Sequence, residues 1–72
     1  MTMKPDLKEV NALLEYMVHH NTDHAQELKV LSEKVKTLGK TTAYQELSSG
    51  IQKMQEANRH FEEALNELQK EK

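Results

Sequence analysis

Val35-Lys36-Thr37-Leu38-Gly39-Lys40-Thr41-Thr42-Ala43-Tyr44 (residues 35–44) is the stretch whose reading decides the fold. Upstream of Leu38 no glycine or proline interrupts the chain back to Pro5. Lys34 and Lys36 place positive charge where a helix exposes its last carbonyls, and Gly39 is suited to a left-handed C-terminal cap. Thr41 or Thr42 can cap a second helix, and Thr42 with Gln45 three residues on resembles a capping box. A linker of about three residues forces the two helices to lie side by side and antiparallel. Pro5 suits a first helical turn, with Asp6 adding a favourable charge there. The expected architecture is therefore all-α: an antiparallel two-helix hairpin in one domain, 1–72, with helices at about 5–38 and 42–70.

Outward from the turn, both halves carry core-type residues at alternating steps of three and four, the spacing of a coiled-coil seam. The first half reads Leu7, Val10, Leu14, Met17, Asn21, His24, Leu28, Leu31, Val35, Leu38; the second reads Tyr44, Leu47, Ile51, Met54, Asn58, Phe61, Leu65, Leu68. Pairing these seams around the turn sets Leu31 opposite Ile51, His24 opposite Asn58 and Asn21 opposite Phe61. Asn21, His24 and Asn58 then form one polar layer, which costs free energy unless its members are hydrogen-bonded or serve a site. A break at His20-Asn21-Thr22 would give a three-helix bundle instead, since Asn and Thr are good caps. The three-four phase runs through that segment without a skip, which favours the unbroken helix. Ser48-Ser49-Gly50 are weak helix formers inside the second helix and predict at most a slight bend.

Composition narrows the function classes. Charged residues are 31% of the chain, aromatics 4%, and the net charge is -2. Lysine and arginine are scattered among glutamates without a basic face, which argues against nucleic acid as a partner. Cysteine is absent, so disulfides and thiolate metal sites are excluded. The start, Met-Thr-Met-Lys-Pro-Asp, has no apolar h-region, and no run of ~20 apolar residues can span a bilayer. The expectation is a soluble, cytoplasmic chain with no membrane partner.

A two-helix hairpin buries one narrow seam and is marginal in water. Ala43, Gly50, Ala57 and Ala64 recur every seven residues beside the second seam. A stripe of small residues lets another helix approach closely, and the matching flank of the first helix carries Leu13, Tyr16 and Val30. Dimerisation into a four-helix bundle is expected through that side.

The chemistry-bearing residues cluster at the polar level. His20, Asp23, His24 and Glu27 stand at helical spacing on one patch, and a His-x-x-x-His pair can share a divalent metal ion, with the carboxylates in its first or second shell. His60, beside Ala57 and Ala64, is a further candidate ligand. Nitrogen and oxygen donors without sulfur suit nickel, cobalt, zinc or iron. The plainer reading makes His24 a hydrogen-bonding partner of Asn58 that sets register. No phosphate-binding loop, nucleophile elbow or His-Glu-x-x-His signature occurs.

The segment His20-Asn21-Thr22-Asp23-His24-Ala25-Gln26-Glu27-Leu28, with Leu38-Gly39, Ala57-Asn58 and Ala64-Leu65, resembles a family of small uncharacterised prokaryotic helical-hairpin proteins carrying His-Asn-x-x-His-Ala-x-Glu. Members often carry His and Trp just before this segment, where this chain has Tyr16 and Met17. The resemblance implies the hairpin fold and draws attention to His20 and His24; it brings no activity with it. The sequence thus points to a non-enzymatic structural or protein-interaction module, a homodimer whose His/Asn layer sets register. The alternative is a metal-binding accessory protein using His20, His24, Glu27, Asp23 and His60.

Overall fold

The computed structural model describes residues 6–70. They form two helices, α1 (Leu7–Thr37) and α2 (Thr41–Lys70), packed as an antiparallel hairpin. Asp6 caps α1 from an extended backbone, its carboxylate accepting the Lys8 N–H at 3.0 Å; Pro5, expected in the first turn, lies outside the described residues. At the other end Gly39 takes φ 78°, a conformation that costs an L side chain free energy. Its N–H donates to the Lys36 carbonyl at 2.9 Å and the Lys40 N–H to Val35 at 3.3 Å. That pair of bonds is a Schellman cap, so the end of α1 is closed by backbone alone.

The start of α2 departs from the expected capping. The Lys40 carbonyl accepts the first bond, from the Tyr44 N–H at 2.9 Å, so Thr41 already lies inside the helix. Among the described residues no side-chain hydrogen bond joins Thr42 and Gln45. The short turn sets the position: once the Schellman cap has ended at Lys40, no residues remain for a separate capping box. Lys36 Nζ sits 5.2 Å from the centroid of the Tyr44 ring and ties the two helices across the turn.

α1 runs unbroken through His20-Asn21-Thr22, which excludes the three-helix alternative. The Thr22 hydroxyl donates back to the Val18 carbonyl at 3.1 Å. A residue type that often opens a helix is thereby satisfied inside one. α2 is likewise continuous through Ser48-Ser49-Gly50.

The seam of α2 follows the expected positions: Tyr44, Leu47, Ile51, Met54, Asn58, Leu65 and Leu68 turn inward, while Phe61 is 44% exposed. The seam of α1 is different. Leu14, Asn21, Leu28 and Val35 face α2 as expected, but the residues alternating with them are Asn11, Val18, Ala25 and Ser32. Val10, Met17, His24, Leu31 and Leu38, expected in the core, form a row on the outside. The apolar arc of α1 is wider than one seam, and a single partner helix covers only part of it. Ala25 and Ser32 are small enough for α2 to come close on their side, and Asn58 there reaches the α1 backbone. The hairpin is therefore rolled by one residue from the expected packing, with Asn21 opposite Asn58 rather than Phe61.

The inner row carries two polar residues besides Asn21. Ser32 is buried and donates to the Lys29 carbonyl at 2.7 Å. Asn11 is not satisfied in this way: its Oδ1 is buried without a hydrogen-bond partner. Such an acceptor costs about 1–3 kcal/mol in lost hydration. Asn11→Leu is expected to raise stability by about 1 kcal/mol, read as a higher urea midpoint at unchanged slope. An unchanged or lowered midpoint would show that the amide is satisfied in solution.

Candidate functional site

Two groups of polar side chains occupy the middle of α1, and they sit on different faces. The first is the layer inside the hairpin. Asn58 is buried; its Oδ1 accepts from Asn21 Nδ2 at 3.1 Å, while its Nδ2 lies 3.2 Å from both the Val18 carbonyl and Thr22 Oγ1. Both polar atoms of the Asn58 side-chain amide thus have partners, and all three partners belong to α1. Because the rise along a helix is 1.5 Å per residue, sliding α2 by one turn would carry the amide away from all three. The layer is a register lock in this sense.

His24 does not belong to that layer. Its side chain is 49% exposed, on the outer row that the rolled packing leaves uncovered. The residue that completes the layer is Thr22, which sequence reasoning missed. Its signal lies in the seven-residue recurrence Asn11, Val18, Ala25, Ser32, which places Thr22 one turn from Val18 on the side where α2 packs. Bulk drew attention to Met17, His24 and Leu31 instead.

The second group is on the surface. His20 and His24 bring their Nε2 atoms to 2.9 Å, with the rings edge to face at 4.3 Å between centroids. Tyr16 stacks on His20 from the preceding turn, centroids 5.5 Å apart and planes 18° apart. Glu27 Oε2 stands 4.0 Å from His24 Nδ1. With both rings neutral, His20 can donate its Nε2–H to His24, whose Nδ1–H then faces the carboxylate. A shallow open groove of about 340 Å³ runs beside His24 and Glu27 toward Leu31 and Lys34.

The other expected ligands are not gathered there. His60 lines a separate groove on α2 with Glu63, Asn66 and Glu67, and among the described residues it has no hydrogen bond or ring contact with His20 or His24. Asp23 is exposed and is not bonded to either histidine. No group of three His, Asp or Glu side chains among the described residues is placed to hold a metal ion. The geometry therefore supplies a two-imidazole pair with one carboxylate behind it.

The family comparison bears on the whole hairpin rather than on either group. A family model described as a domain of unknown function, DUF8180, matches residues 10–68. The chain belongs to the DUF8180 family. The matched span takes in most of both helices, the Schellman turn, the Asn21–Asn58 layer and the His20–His24 pair. No curated protein and no solved structure matches the chain. Among the described residues no helix is long and apolar enough to cross a membrane.

Proposed function

We propose that the chain works without catalysis, as a helical interaction module: a hairpin held in one register by Asn21, Thr22 and Asn58 so as to present the outer apolar row of α1. The observation that carries this reading is the exposure of large hydrophobic side chains on one face. Met17 is 58% exposed and Leu31 49%, and Val10, Leu13 and Val30 accompany them. Contiguous apolar surface of this kind on a small soluble chain marks an association site. The grooves beside it are shallow and open, unlike the enclosed pockets in which substrates are desolvated.

The test compares the wild type with Met17→Glu/Leu31→Glu, using a dye that fluoresces on apolar surfaces. The wild type is expected either to associate or to light the dye at every concentration. The variant should do neither while its circular dichroism stays helical. A wild type that is monomeric and dark throughout would sink the reading.

A second reading rests on the 2.9 Å approach of the two Nε2 atoms. An ion held at about 2.0–2.1 Å from each nitrogen would replace the shared proton, with Glu27 orienting His24 from behind. Water or a second chain would have to supply the remaining ligands. Nickel, cobalt or zinc added to metal-stripped protein would then raise the unfolding midpoint, with the logarithm of metal concentration over Kd, and His24→Ala would remove the rise. Equal midpoints with and without metal would rule this reading out.

A further inference from the structure

The exposed face of the hairpin carries its own counterpart. On α1 the outer row offers large side chains, Val10, Met17, Leu31 and Leu38, with His24 its polar member. On α2 the row of Ala43, Gly50, Ala57 and Ala64 is also exposed. The two rows lie on the same side of the hairpin. Leu14, Met17 and Asn21 share one small groove with Phe61, and Ala57 and Ala64 stand one helical turn on either side of Phe61. The groove on the opposite side is more polar, with Lys29, Glu33, Gln52 and Gln55 beside Tyr44 and Ile51.

Gly50 shows that the small row is not needed by the single chain. A Cβ built there meets nothing within 4 Å, and glycine inside a helix is destabilising relative to alanine. Nothing within the hairpin compensates for that choice. A helix approaching closely from outside would. The surface area points the same way. An 8.4 kDa compact domain exposes about 4,600 Å², whereas this chain exposes 6248 Å². The excess is roughly 1,600 Å² over the whole chain, against ~800 Å² per partner for a stable interface.

We propose that the occupant of this face is a second copy of the chain, packed so that the Met17–Leu31 row of each α1 seats on the Gly50–Ala57 row of the other chain's α2. A two-fold axis brings both large-on-small contacts together at once, since each chain supplies one row of each kind. A foreign helix would cover one row and leave its complement bare. The product is a four-helix bundle in which the Asn21–Asn58 layer of each hairpin stays internal to its own chain. This assignment rests on the interaction-module reading and names the partner.

Sedimentation equilibrium of the full chain from sub-micromolar to millimolar concentration tests it. The expected mass is twice 8.4 kDa in the upper range. Gly50→Leu fills open space in a single hairpin and should keep full helicity, yet weaken self-association at least a hundredfold; Gly50→Ala should weaken it less. Met17→Glu/Leu31→Glu should be monomeric throughout. A helical wild type that stays at the monomer mass overturns the proposal, as does a dimer that tolerates Gly50→Leu unchanged. A wild type that is monomeric but lights the apolar dye would overturn the second copy alone; one both monomeric and dark would also remove the reading it rests on.

Discussion

Asn58→Ala is expected to lower the stability of the hairpin by about 2–3 kcal/mol, a drop of roughly 10–20 °C in unfolding midpoint for a domain of this size. The truncation removes an acceptor from Asn21 and a donor from the Val18 carbonyl and Thr22 Oγ1. It also opens a gap where the chain is buried. Thr22 keeps its bond to Val18, and Asn21 at the edge of the seam can turn to water, which holds the loss below that of a fully orphaned network. Asn21→Leu/Asn58→Leu, by contrast, is expected to be neutral or stabilising, because both partners leave together and the seam becomes apolar. Its cost appears in uniqueness: a seam without the amide lock can slide by a turn, and the amide NMR spectrum should broaden or double. The two single changes should therefore be strongly non-additive. Asn58→Ala within ~0.5 kcal/mol of wild type would show that the layer contributes nothing.

Ile51→Ala carries the other large effect. Ile51 is 8% exposed, the only large aliphatic side chain of α2 that is buried. Three carbons at about 0.8 kcal/mol each, with a small cavity term, give about 2–3 kcal/mol. The lower end of the usual range applies because the site adjoins an open groove at Ser48 and Gln55, into which neighbours can relax. Leu31 lies on the uncovered row, so Leu31→Ala should leave the isolated hairpin almost unchanged. Chemical denaturation at two protein concentrations separates the cases: Ile51→Ala loses stability at both, Leu31→Ala only where chains associate. Equal losses at all concentrations would place Leu31 in the hairpin's own core.

The contrast between these residues also shows where local signals stop. Gly39 and its flanking lysines marked the turn because a left-handed cap is a property of a few consecutive residues. The seam of α2 was legible for a similar reason: one face of that helix carries the large side chains and its neighbours are largely small or polar, so, Phe61 apart, bulk and burial coincide. On α1 they do not coincide. Met17, His24 and Leu31 are larger than Val18, Ala25 and Ser32, and ranking by size selects the wrong row. Close packing on α2, and the reach of Asn58 to the Val18 carbonyl, reward the smaller one. His24 left the polar layer and Thr22 entered it through that same rotation, and the expected pairing of His24 with Asn58 went with it.

By itself, the sequence determined what depends on neighbours along the chain: two long helices, a three-residue turn, antiparallel order and the seven-residue recurrence of small side chains on α2. Only the tertiary structure decided which of two adjacent rows on α1 became the seam. Helical periodicity defines an arc of apolar surface, and an arc wider than one contact leaves the choice to the shape and hydrogen bonds of the helix that packs on it.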